Sequence, residues 1–435
     1  MNRVSFCCLL LVLCGLVPTS LSATPFAYIS NESDNTVSVI DTSDQSVVAT
    51  IDVGAGAVGV AVAPDGARVY VANRDAGNVS VIDTATNTVS DTVAIVGAPL
   101  GIVVSPDSDR VYVADIGFGT VLVIDANTNT VVDTVSVGAA AMGIAISPDG
   151  SRVYVANSGD NSITVIDTSD NSVVDTVAVG ARPIALAVTP DSSGLYVANF
   201  DGNSVSVIDT VSNNVIDNIA ISAPLGVVAI PDGSRIYVTS SDQSSVSVID
   251  GDKNEVIDTV PVANMPFGIA VTPDGSQVYV ANNGSNNVSV IDVQGNFVVT
   301  AIDVGVSPNA LGTFIGTPPD TTPDPFSFDD QFDLEPNTVA VSNAITVSGI
   351  NTDSPIEITG CTSSSCEYSI NAGAYTDSPG LASNGDEVVV RQVASGSQNT
   401  TTTLTLEIGG LSDDFNITTW QIDAIFADRF EADDD

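Results

Sequence analysis

Along most of this chain, apolar residues come in runs of five or six, cut by short polar turns, and the cuts recur at a fixed pitch. One unit shows the grammar. VGVAVAPDG (58–66) is an apolar run closed by a Pro-Asp-Gly turn, and ARVYVAN (67–73) is a second run. NVSVIDT (78–84) alternates large apolar with small hydroxyl side chains, the period-two pattern of a strand. NTVSDTVAIVG (87–97) supplies a fourth run and a glycine exit. The unit then repeats. Tyr28, Tyr70, Tyr112, Tyr154, Tyr196, Tyr237 and Tyr279 follow one another at 42, 42, 42, 42, 41 and 42 residues. The aspartates ending each VID (Asp41, Asp83, Asp125, Asp167, Asp209, Asp250 and Asp292) keep the same beat. A period near forty with four short strands per unit predicts propeller blades, so residues 24–316 read as a seven-bladed β-propeller. No helical period appears after residue 23.

The two ends of this region carry complementary pieces. The first unit begins at TPFAYISN (24–31), a second strand with no first strand ahead of it. PNALGTFIG (308–316) is a first strand with no Pro-Asp-Gly turn behind it. The late strand is expected to complete the first blade and remove the exposed sheet edges. Stacked blades should be buried on both faces, which fits the near-continuous apolar runs. TPPDTTPDP (317–325), with four prolines, predicts a semi-stiff linker. Residues 326–418 return to alternating strands with turn signals every 8–14 residues, which predicts a small β-sandwich of immunoglobulin-like type. The fold class is therefore all-β. Residues 419–435 read as a loosely ordered acidic tail.

Residues 1–23 read as a signal peptide. Arg3 is their one charge, residues 4–17 are apolar, and Pro18, Thr19 and Ser20 end the run below bilayer-spanning length. Leu13 is bulky where a lipoprotein cut at Cys14 would want a small residue. Three of the five cysteines leave with this segment. The pair Cys361 and Cys366 that remains in an exported chain favours a disulfide over a metal site or two free buried thiols. The expected location is secreted, cell-surface or periplasmic. The net charge is −43, or −44 once Arg3 is gone, which disfavours nucleic acid and anionic membranes as partners. There is no histidine, so a Ser-His-Asp triad is excluded and the commonest general base and metal ligand are missing.

VYVANRDAGNVSVIDTATNTVSDTV (69–93) and RVYVANSGDNSITVIDTSDNSVVDTVAVG (152–180) resemble the YVTN-type β-propeller repeats of bacterial and archaeal surface and secreted proteins. The resemblance covers 24–316. It implies a seven-bladed ring outside the cell with a role in display or binding, and it brings no shared catalytic residue set. The sixth unit, YVTSSDQSSVSVIDGDKNEVIDTVPVA (237–263), departs most and is one residue short. ITVSGI and NGDEVVVRQVAS, within 340–409, resemble the immunoglobulin-like modules appended to bacterial surface proteins.

The VID aspartates each precede a turn, and their expected role is to cap backbone N–H groups, as is that of Asp65, Asp107, Asp149, Asp191, Asp232 and Asp274 in the Pro-Asp turns. A ring of apolar residues (Val58, Leu100, Met142, Ile184, Leu225, Phe267 and Leu311) stands one position before the small residue of each first strand. First strands line a propeller axis, so this ring is expected at one mouth of the channel, as core packing or as a lip for a ligand. The loops between second and third strands vary most and emerge on the same face. Variation inside a constant frame marks Phe118 and Phe200, with the scarce cations Arg74 and Arg182, as candidate ligand contacts, and Phe267 of the apolar ring is a further one. Asp75, Asp115, Asp160, Asp201 and Asp242 could meet over the channel and hold calcium; otherwise no cofactor is expected. The resulting expectation is a non-catalytic binding or surface-display protein whose loop face meets an extracellular protein, peptide or glycan. The alternative is a secreted propeller enzyme (lactonase-like, lyase-like or quinoprotein-related) with a calcium–carboxylate site.

Overall fold

Val, Ile and Tyr at alternate positions, bounded by Asn, Asp and Gly turns, leave the backbone one economical solution, the short antiparallel strand. The computed structural model describes residues 24–363 and 365–420; the signal segment and 421–435 lie outside the described residues. Every regular element described is a strand. Seven four-stranded antiparallel sheets follow one another as blades. Blade 2 runs Ala57–Val62, Arg68–Asn73, Asn78–Asp83 and Thr88–Ala94 from the axis outward. Blades 3 to 7 repeat that order over 99–136, 141–178, 183–220, 224–261 and 266–303.

Blade 1 is assembled from both ends. Phe26–Asn31, Thr36–Asp41 and Ser46–Asp52 are joined on the inside by Ile315–Gly316. The closing segment is held further by Asn309 N donating to Ser30 O (2.9 Å) and Tyr28 N donating to Phe314 O (2.8 Å). Its ladder is broken because 308–312 carries two residues more than the matching stretch of the other first strands, Pro-Asn-Ala-Leu-Gly against Pro-Leu-Gly.

The inner three strands of each blade are buried. The fourth strand is mostly exposed, as in Thr130–Ser136, where Val135 alone is buried. This differs from the expectation of burial on both faces throughout. Blades diverge as they leave the axis, and a bulge in each third–fourth pairing, such as that between Val81 and Ile82, adds local twist. The turns behave as their residues require. Asp83 Oδ1 accepts from Thr86 N (2.8 Å), Asp167 Oδ1 from Ser169 N (2.9 Å) and Asp149 Oδ1 from Ser151 N (3.0 Å).

Ala23–Thr321 with Ile350–Asp353 form one compact unit. Within it Asn351 Nδ2 donates to Thr317 Oγ1 (2.9 Å) and Pro318 O (3.0 Å), so the first residues after the ring are pinned. The second unit, Thr322–Gly349 and the chain from Ser354 onward, carries two further sheets. One has five strands, ordered Gln331–Leu334, Leu411–Thr419, Thr401–Ile408, Ser354–Cys361 and Gly380–Ala382. The other gathers Val339–Val341, Ile345–Thr346 and Cys366–Ile370 around Glu387–Val393. Cys361 and Cys366 are disulfide-bonded.

Candidate functional site

The first strands crowd the axis so closely that a side chain on Gly59 would sit 2.0 Å from Leu100 O, and one on Gly101 2.2 Å from Met142 O. That approach explains the small residue after each member of the apolar ring. Val58, Leu100 and Leu311 are buried and pack as one cluster with Met142 and Phe267, so five blades meet across the axis. The ring is an apolar floor beneath the loop face rather than an open throat. Phe267, singled out as a ligand contact, is half-buried in that floor.

Above the floor stands a second ring. The residue following each second strand is Glu32, Arg74, Ile116, Ser158, Phe200, Ser241 and Asn283 in turn, all half-buried. Each places its backbone N–H on a carbonyl of the connection from the preceding fourth strand: Arg74 on Gly56 O (2.9 Å), Phe200 on Arg182 O (2.9 Å) and Asn283 on Met265 O (2.9 Å). One frame position thus carries seven side chains of six different kinds of chemistry.

At the seam between blades 1 and 2 the polar members converge. Arg74 Nη2 donates to Glu32 Oε1 (2.9 Å), and Asn309 Nδ2 donates to Glu32 Oε2 (2.9 Å). Arg74 Nε donates to Asp75 Oδ1 (2.9 Å). That hydrogen bond, with the Glu32 charge beside it, raises the Arg74 pKa against the opposing effect of burial, and it lowers that of Asp75. Asn309 is buried, and its Oδ1 has no hydrogen-bond partner among the described residues. A buried acceptor left open beside a charged pair is costly unless something else supplies a donor.

The remaining candidates fall elsewhere on the face. The Arg182 guanidinium lies over the Phe200 ring at 5.1 Å, with Asp201 Oδ1 at 3.6 Å. Phe118 is 66% exposed at a loop tip. The five aspartates weighed for calcium do not converge. Asp115 is buried and accepts from Ala98 N (3.0 Å) and Gly117 N (2.8 Å), while Asp160 caps Ala139 N (2.6 Å) and Asp242 accepts from Ser222 Oγ (2.7 Å). Among the described residues no three carboxylates or thiols are grouped to hold a metal ion. Sequence reasoning missed Glu32 and Asn309. Glu32 occupies the frame position of Arg74, and Asn309 is one of the two extra residues of the closing strand, so both were traceable by aligning units one and seven with the rest.

Two family models match parts of the ring. Residues 123–215 are similar to the lactonase family of seven-bladed β-propellers, and residues 220–319 to the YNCE-like β-propellers. Each match spans less than a quarter of the chain. No curated protein matches it. Among solved structures, hydrazine synthase of Kuenenia stuttgartiensis is 25% identical, with a TM-score of 0.55 over 59% of this chain and 88% of that one. A functionally unknown protein from Desulfotomaculum acetoxidans is 20% identical, with a TM-score of 0.61 over 67% of this chain and 99% of that one. The dihydro-heme d1 dehydrogenase NirN is 18% identical, with a TM-score of 0.50 over 63% of each chain. The last two likenesses show the fold alone.

These likenesses overturn the expectation of a non-catalytic display protein. One of the two matching families is that of the lactonases, and hydrazine synthase is an enzyme. The expectation leaned on the repeat resemblance, which implied display or binding, and on the absence of histidine. A carboxylate, a guanidinium and an amide set together at a mouth can move protons and stabilise charge without one.

Proposed function

We propose that the chain is an exported propeller enzyme that hydrolyses a lactone at its loop-face mouth, with Glu32, Arg74 and Asn309 as the working residues. The observation that carries this reading is the Glu32–Arg74–Asn309 group, which the seven-fold frame produces at one seam and nowhere else on the described ring. The lactonase-family match supports the substrate class.

In this reading the Glu32 carboxylate takes a proton from a water molecule as its oxygen bonds to the lactone carbonyl carbon. Arg74 has its Nη1 group to offer the carbonyl oxygen, where negative charge develops, and Asn309 Oδ1 accepts from a substrate hydroxyl or the water. The ring carbon–oxygen bond then breaks, and the leaving oxygen receives the proton from Glu32. No metal ion enters the step. The half-buried setting of Glu32 and Arg74 strengthens their interaction with that charge relative to bulk water.

The disulfide fits an extracellular or periplasmic protein, and among the described residues no helix is long and apolar enough to cross a membrane. With the signal-like 1–23, this supports export. We read the two C-terminal sheets as an immunoglobulin-like module and the ring repeats as YVTN-type.

The test is acid release from a panel of lactones, followed by pH-stat with the parent protein and Glu32→Gln. Loss of a general base should lower kcat by about a hundredfold or more with the melting temperature unchanged. Absence of turnover across the panel, or a Glu32→Gln variant as active as the parent, would overturn the reading.

A further inference from the structure

On the other side of the apolar floor, the axis opens into a cavity of about 630 Å³, within the range of small-molecule sites at roughly 300–1,000 Å³. It runs along the first strands from the glycine ring, at Gly101 and Gly143, to the proline turns, at Pro106 and Pro148. That is five residue steps, about 17 Å at a strand rise of ~3.4 Å. The mean cross-section is then roughly 35–40 Å², wide enough for an aliphatic chain at carbon–carbon contacts of about 4 Å.

The wall is apolar: Ile102, Val104, Ile146, Val188, Val271 and Ile315 contribute to it. Ile146, Val188, Val271 and Ile315 are only half-buried because they face this space. No charged side chain lines the cavity, in a protein of net charge −43. The side-chain hydroxyls that do, Ser147, Thr313 and Thr317, include Thr313, which is exposed there. A long tube lined mostly by apolar side chains and closed at one end offers water few of the two to four polar partners each molecule needs.

The rim at its other end is acidic. Each Pro-Asp turn sets a carboxylate directly after the proline at the rim, at Asp65, Asp107, Asp149, Asp191, Asp232 and Asp274. A serine or threonine hydroxyl donates to Asp107, Asp149 and Asp191 at 2.5–2.6 Å, and these bonds hold their pKa values below the usual carboxylate range. The cations of this face, Arg68, Arg110, Arg152 and Arg235, begin the second strands, one strand farther from the axis.

We propose that the axial channel binds a single aliphatic chain whose head group is not anionic, at a site separate from the lactone mouth. The tail leaves water along the tube, and the head stays at the acidic rim, where a neutral group is tolerated, an ammonium is attracted and a carboxylate is repelled.

The experiment is titration calorimetry of the full exported chain with dodecylamine, dodecanol and dodecanoate below their micelle-forming concentrations. The amine and the alcohol should each bind once per chain, at least about tenfold tighter than the carboxylate, and the advantage of the amine should shrink as salt screens the rim. Thr313→Trp fills the tube and should abolish binding, whereas Thr313→Ser should bind like the parent. If the tryptophan variant does not fold, Thr313→Asp places a charge in the tube and should have the same effect. Glu32→Gln should titrate like the parent, so failure of the lactone reading and failure of this one are distinguishable. No binding by any of the three probes, equal binding of dodecanoate, or a Thr313→Trp or Thr313→Asp variant that binds like the parent would each overturn the proposal.

Discussion

Each repeat tyrosine is anchored by its ring, which is buried between blades, and at Tyr196 and Tyr237 the hydroxyl also reaches the outer turn of the next blade. Tyr196 donates to Asn254 Oδ1 (2.5 Å) and Tyr237 to Asn296 Oδ1 (2.8 Å). Those asparagines sit at φ 57° and 52°, in the left-handed region that Asn tolerates, which is why Asn ends so many of these turns. Burial raises the pKa of all seven tyrosines, to about 12 at Tyr28 and Tyr196, from the ordinary 10.0. A raised phenol pKa means the fold favours the neutral form. That contribution is intact below pH 10 and is lost as pH rises from 10 to about 12, where the unfolded chain ionises first. The turn aspartates act in the opposite sense. Their pKa values are lowered from 3.8, by hydroxyl and backbone donors at Asp149, Asp167 and Asp209, so their contribution is present above that value and lost as pH falls below it. Melting temperature against pH should therefore show a plateau that falls away at both ends. Ionisation of the seven ring tyrosines near pH 10 in the still-folded protein, measured in a variant with Tyr368 and Tyr375 replaced by Phe, would contradict the alkaline limb.

At the scale of the element, four of the seven blade seams are clasped on their outer edges. Asn129, Asn171, Asn213 and Asn296 donate to Asp91, Asp133, Asp175 and Asp258 of the preceding blade at 2.8–3.1 Å. The closing seam lacks this clasp, because Gln45 and Thr300 occupy the two positions. It relies instead on the inner segment 308–316, which completes blade 1 and supplies both Asn309 and Leu311. A chain ending at Gly305 should lose the inner edge strand, expose the apolar face of Phe26–Asn31 and aggregate. Light scattering and thermal melting check this. A truncated chain that stays monomeric and melts with the full ring would mean that closure contributes little. Loss of the same segment should also abolish lactone turnover, since it removes Asn309.

For the whole molecule, charge is the dominant long-range term. The propeller carries 32 acidic and 7 basic residues, and exposed like charges repel across distances that salt screens. Raising sodium chloride should raise the melting temperature. Because the loop aspartates are dispersed and individually bonded, calcium at matched ionic strength should do no more than sodium. Scanning calorimetry in both salts decides this, and stabilisation by micromolar calcium alone would reveal an oxygen-ligand site.

How far the chain can be read from its letters follows the range of the forces involved. Strand period, Pro-Asp-Gly turns, Asn at left-handed positions and the 42-residue beat are local, so the blade count and the split first blade are legible in the sequence alone. The disulfide is legible because compartment and cysteine count leave few choices. The mouth is not. Glu32 and Asn309 are 277 residues apart, and the short loops that carry Glu32 and Arg74 look like ordinary turn filler in isolation. Only closure of the ring brings one frame position from seven blades around a common axis, and only the crowding of first strands decides which mouth is plugged and which is a tube. Local sequence specifies conformation through backbone sterics and turn chemistry. Proximity across the ring depends on how all seven blades pack, which no single repeat contains.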